Sequence, residues 1–165
     1  MPPRDPLPAA ALPLRGRPVP RAAGQASGRS ATAAARRRTL DQALAWLDGV
    51  VTGPGVARPG LAAEPGSLGL FLAPALARGP AAAFLAETEF ARLQPLPDGS
   101  LVLPLPPAWR CAAIRQRWAV PHPAAGQRGL PPGLVTIAAP RHAAEAMVLA
   151  RLIAVAWGCA CGGAA

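Results

Sequence analysis

With 165 residues the chain has room for one domain with a modest apolar core, and too little length for two packed ones. Its formal charge of +9 is unevenly spread: residues 1–40 hold eight Arg against Asp5, a local +7, while the rest holds nine Arg against seven acids, only +2. The folded part is thus nearly neutral, which counts against a basic nucleic-acid-binding face. Lys is absent, so part of the Arg excess reflects biased composition rather than an anionic partner.

Residues 1–38 contain seven prolines and no apolar periodicity, and are expected to be a disordered basic tail, because ordering them would cost more entropy than their burial returns. Pro8, Pro13, Arg15, Arg17 and Pro18 interrupt every apolar run that could form a secretory signal. Arg36-Arg37-Arg38 reads as a solvated charge run before a helix, with phosphate-rich surfaces as the alternative.

The folded domain is expected over residues 39–158. Thr39 and Gln42 form a capping box, followed by Leu40, Ala43, Leu44 and Leu47 at helical spacing until Gly49. The stretches "GVVTGPG" and "GSLGLFLAP" read as short strands, and residues 78–88 lean towards a helical turn. The stretch "EFARLQPLPDGSLVLPLPP" predicts a hairpin, with Asp98-Gly99 supplying the turn chemistry. By strand alternation Phe90, Arg92 and Gln94 share one face; with Gln94 opposite Ser100, Arg92 falls opposite Val102, and those four form one patch. Glu87 and Glu89 would share a side of the strand as solvated charges.

Pro107 opens a helix carrying Ala108, Cys111 and Ala112 on one stripe, with Ile114 nearby. The segment "VPHPAAGQRGLPPG" reads as loop and "LVTIAAP" as a buried strand. A closing helix from about His142 to Trp157, capped by His142 and stopped by Gly158, has Val148, Leu149, Leu152, Ile153 and Ala156 on its apolar face and Glu145 near its positive end. Residues 159–165 are expected to be a flexible end. The longest apolar stretches are interrupted by Arg151 or by Gly and Pro, so no membrane span is expected. The predicted fold is α+β: a small single domain with an antiparallel sheet packed by two or three helices.

From Glu89 onwards the order Glu-Phe-Ala, Asp98 to Leu101, Trp118, "HPAAG", "APR" and a final helix resembles the luciferase-domain family, over roughly residues 87 to 157. The resemblance implies a small α+β domain. The family's known enzymes, the fungal luciferases, oxidise the pyrone 3-hydroxyhispidin with molecular oxygen, so it also implies a small aromatic or pyrone substrate and oxygen as co-substrate without a further cofactor. Family members carry a histidine-x-histidine pair on the first hairpin strand and another histidine on the second. This chain has Arg92, Gln94 and Val102 there. Arg stays protonated and Val offers no lone pair, so the patch suits binding an anion or amide better than taking protons.

Several groups remain as candidates. His122, between Pro121 and Pro123, sits on a stiffened loop that suits either a general base or a loop anchor. Asp98 is a turn former first and a catalytic carboxylate second. Trp118 reads as core packing or as a ring beside a flat substrate, and Arg141 as a local ion-pair partner or a group that binds a carboxylate or phenolate. The candidate site is therefore His122 and Asp98 for catalysis, with Arg92, Gln94, Trp118 and Arg141 for substrate. Three cysteines, with Cys159-Ala-Cys161 lacking a second pair or a neighbouring His, do not make a zinc site and fit a reducing cytoplasm. Three readings stay open: an oxygenase working through this reduced site; a non-catalytic module that binds a small ligand or a protein; and a tail-driven binder of nucleic acid or acidic surfaces.

Overall fold

The computed structural model describes residues 8–16 and 27–163. Six strands, β1 (Val50–Pro54), β2 (Leu68–Leu72), β3 (Glu89–Leu93), β4 (Leu101–Pro104), β5 (Ala119–Pro121) and β6 (Leu134–Ile137), form one antiparallel sheet in the order β1-β2-β3-β4-β6-β5. Three helices, α1 (Ser27–Leu44), α2 (Pro107–Arg115) and α3 (Ala143–Ala160), complete the expected α+β domain.

Strand alternation divides the side chains between two faces. Leu70, Leu72, Ala91, Leu93, Leu101, Leu103, Val135 and Ile137 point into the main core, where α3 contributes Leu149, Leu152, Ile153 and Ala156, and α1 contributes Ala43. Val102 and Leu134 point the other way, into a smaller cluster with Leu61, Leu85 and Leu130 supplied by loops. The hairpin's outer face is thus roofed by chain rather than open to water.

The hairpin register is as expected, with Arg92 opposite Val102 and the Gln94 N–H donating to the Ser100 carbonyl at 2.7 Å. Gly99 takes the positive φ of the turn, 59°. Strict alternation fails one residue earlier. Leu70 pairs with Ala91 but Phe71 pairs with Glu89, so Phe90 is an extra residue in β3, a bulge. Phe90 is buried in the main core, not on the face of Arg92, and Glu89 shifts onto that face.

Other expectations are corrected in detail. Helix α1 begins at Ser27, so Thr39 is no cap; its Oγ1 donates to the Ala35 carbonyl one turn back, at 3.1 Å. Of the tail expected to be disordered, residues 1–7 and 17–26 lie outside the described residues, whereas residues 8–16 lie on the domain with Leu12 and Arg15 buried. Residues 78–88 hold only a 3-10 turn, Ala81–Ala83, because Phe84 is already extended. On α2 the buried residues are Trp109, Ala112 and Ala113, while Cys111 is exposed. The loop after α2 opens with the short strand β5, paired to β6.

Helix α3 is capped as expected by His142, whose Nδ1 accepts from the Glu145 N–H at 3.4 Å. It runs through Gly158 to Ala160, and Ala160 is buried with its carbonyl accepting from the Gly79 N–H at 2.8 Å. By length and composition alone α3 could cross a membrane, but its apolar face is the core under the sheet.

Candidate functional site

The Arg92 guanidinium is fully buried. Its Nε donates to Glu89 Oε1 at 2.7 Å and its Nη2 to Glu89 Oε2 at 2.7 Å, a two-pronged pair that satisfies carboxylate and guanidinium together. Nη1 donates to the Ala62 carbonyl at 2.8 Å and Nη2 also to the Val56 carbonyl at 2.6 Å. Four of the guanidinium's five N–H donors are therefore engaged. The Val56 N–H in turn donates to Glu89 Oε2 at 3.1 Å.

Two glycines make room for this pair. A Cβ on Gly55 would stand 2.7 Å from Arg92 Nε, and one on Gly69 would stand 2.8 Å from Glu89 Oε1. Where the resemblance places an imidazole, the chain thus holds a neutralised ion pair. The reading of Glu89 as a solvated charge is overturned: it is fully buried, and only Glu87 is exposed. Sequence alternation could not pair Glu89 with Arg92, since three residues apart on a regular strand means opposite faces. Only the bulge at Phe90 brings them together.

The remaining predicted residues do not converge on that patch. Gln94, beyond the end of β3, is half-buried, and its side-chain Oε1 finds no hydrogen-bond donor. Asp98 is exposed in the hairpin turn, where its Oδ2 accepts from the Ser100 N–H at 3.4 Å and from the Ser100 hydroxyl, so it shapes the turn.

His122 follows β5 in the loop that roofs the hairpin. Its N–H donates to the Leu134 carbonyl at 3.1 Å, and its ring Nδ1 accepts from the Ala124 N–H at 3.1 Å. Burial lowers its pKa, and the Ala124 N–H acts in the same sense, because an imidazolium has no lone pair to accept with. The neutral ring then carries its proton on Nε2 and presents a donor there. A general base needs the opposite tautomer.

Trp118 and Arg141 are brought together around the N-terminal segment. The buried Trp118 ring donates through Nε1 to the Pro13 carbonyl at 2.5 Å, and the Arg15 guanidinium lies 5.0 Å from its centroid. Arg141 donates through Nη2 to the Gly16 carbonyl at 2.9 Å, and through Nε to Glu145 Oε1 at 2.8 Å. The Glu145 bond raises the Arg141 pKa against the opposing effect of partial burial. Glu145 also accepts from the Arg141 N–H at 2.8 Å and from Arg15 Nη2 at 2.9 Å. Burial alone would raise the Glu145 pKa, but the bonds from Arg141 and Arg15 overcome it and hold the carboxyl at about 2.

Among the described residues no three His, Cys, Asp or Glu side chains gather as metal ligands, and the three cysteines are free thiols, with burial raising the pKa of Cys159 and Cys161. Reasoning from sequence missed Glu89, Arg15 and the full role of Glu145. The buried acids could have been suspected from their scarcity, since a nearly neutral folded part with few acids can bury one only beside a cation.

No curated protein and no solved structure matches the chain. The family model described as Luciferase domain matches residues 87–156, from the turn before β3 into α3. That span contains the hairpin, His122, Trp118, Arg141 and Glu145, and it is over residues 87–156 that the chain is similar to the luciferase-domain family.

Proposed function

We propose that this luciferase-domain protein has given up oxygenase chemistry at its hairpin and works as a non-catalytic module that binds a small ligand or a protein. The observation that carries the reading is the Arg92 cage: at the hairpin position where the family resemblance calls for an imidazole, a buried guanidinium is satisfied by Glu89 and two backbone carbonyls. Such a group takes no proton, and four of its five donors are already committed within the protein, on a side chain that is fully buried. The His122 tautomer supports the same reading, since its Nε2 offers a proton rather than a lone pair. On this reading the protein needs no cofactor and no oxygen, and acts in the cytoplasm without a membrane or nucleic-acid partner.

The test is oxygen consumption by the intact chain with 3-hydroxyhispidin and related hydroxypyrones, alongside thermal shift, with His122→Ala as control. The whole chain is used because residues 8–16 and α1 pack on the domain. Stabilisation by a ligand without oxygen uptake is the expected result. Oxygen uptake that disappears in His122→Ala would overturn the reading and restore an oxygenase centred on that residue.

A further inference from the structure

The domain buries a second arginine, and this one comes from outside the family match. Arg15 is 8% exposed. Its Nε donates to Glu145 Oε1 at 3.3 Å and its Nη2 to Glu145 Oε2 at 2.9 Å, while Nη1 reaches the Ala138 carbonyl at 3.2 Å and Nη2 the Ala139 carbonyl at 2.9 Å. Four acceptors thus surround one planar fork, with the Trp118 ring 5.0 Å away. An ammonium, a compact point charge with three donors, cannot span that set, so the pocket is shaped for a guanidinium.

The groove also reads the backbone on either side. The Pro13 carbonyl accepts from Trp118 Nε1, the Arg15 N–H donates to the Gln116 carbonyl at 2.9 Å, and the Gly16 carbonyl accepts from Arg141 Nη2 at 2.9 Å. Leu12 is buried in the main core, whereas Leu14 is 57% exposed. The side chains read are therefore Leu12 and Arg15, while Pro13 and Gly16 are exposed and held only through their carbonyls. Every group that reads Pro13 to Gly16 belongs to residues 87–156, and the segment being read does not. The domain supplies a complete site; the N-terminal segment supplies its occupant.

We propose that this groove is a recognition site for an extended arginine-bearing peptide, and that Leu12–Gly16 is an exchangeable ligand held there in cis. Main-chain bonds give such a groove its hold, and the arginine pocket gives it selectivity. An occupant tethered to the domain has a high effective concentration, so a free peptide of the same sequence competes poorly against the intact segment. The proposal concerns a different surface from the hairpin face: oxygen uptake would sink the binding-module reading and leave peptide binding untouched.

The experiment uses the full chain with Arg15→Ala, which empties the pocket, and a fluorescent peptide of residues 8–17, read by anisotropy. The peptide should bind this variant at least about tenfold more tightly than the wild-type chain. A peptide with lysine in place of its arginine should lose about tenfold or more, since it forfeits the charge-assisted fork. Adding Glu145→Gln should weaken the arginine peptide and narrow its advantage over the lysine one. No binding to a variant that still melts cooperatively, or equal binding of the two peptides, would overturn the proposal. Should Arg15→Ala fail to fold, Arg15→Lys takes its place with the same expectations; if neither folds, the segment is an integral part of the domain and the exchangeable ligand is refuted.

Discussion

Glu89 and Arg92 lie three residues apart on one strand, yet their side chains meet in two hydrogen bonds of 2.7 Å on the same face of the sheet. The extra residue at Phe90 changes the parity of β3 and makes the meeting possible. Both groups are fully buried, so removing either one strands the other without its ionic partner.

Arg92→Leu leaves the Glu89 carboxylate buried without its cation and should destabilise the domain by about 3–5 kcal/mol in urea denaturation. Glu89→Leu together with Arg92→Leu should cost less than Arg92→Leu alone. Additive losses in that cycle would mean the two charges do not depend on each other.

Gly55→Ala pushes a methyl to 2.7 Å from Arg92 Nε and 2.8 Å from Ser67 Oγ. Overpacking of this kind costs about 1–3 kcal/mol. In an Arg92→Leu background, where the crowded nitrogen is gone, the added cost should shrink. An unchanged penalty would assign the clash to Ser67 and the backbone instead.

Glu145 has a folded-state pKa of about 2, below its ordinary value of 4.5. A depressed carboxylate contributes stability that is complete above the unfolded pKa and is lost as pH falls through the folded one. Denaturation midpoints should therefore fall between about pH 4.5 and pH 2 in the wild type. Glu145→Gln should be less stable at pH 7 and should show a flatter acid limb. Parallel acid limbs for the two proteins would place the acid sensitivity elsewhere.

Trp118→Phe keeps the ring face towards Arg15 but removes the Nε1 donor to the Pro13 carbonyl. The loss should be about 1 kcal/mol, the worth of one partly buried hydrogen bond. Amide exchange should quicken at Arg15, whose N–H is held by Gln116. If exchange there is unchanged while global stability drops, Trp118 acts through the core and not through the N-terminal segment.

The parts of this structure that were legible in the sequence are those governed by local rules. Turn chemistry at Asp98-Gly99 and period-two alternation placed Arg92 opposite Val102, and helical spacing found the buried face of α3. The bulge at Phe90 was hidden because it is a mismatch between two strands, visible in neither alone. The packing of residues 8–16 was hidden for a different reason: Leu12 and Arg15 act as single anchors, and two anchors make no periodic pattern. The start of α1 was misplaced because "RSATAAARRR" has helix-forming residues without an apolar stripe, and Thr39 with Gln42 imitates a cap in mid-helix.

Helix α1 and strands β1 and β2 lie before residue 87, where the family match starts, yet they complete the sheet beside β3 and cover α3. The span that the family model matches is accordingly smaller than the unit that folds here. A fragment cut to the matched residues would present β3 as a bare edge, strip α1 from its helix partner, and leave Glu89 and Arg92 without the Val56 and Ala62 groups that close their cage. The upstream residues act as a built-in scaffold for the matched segment.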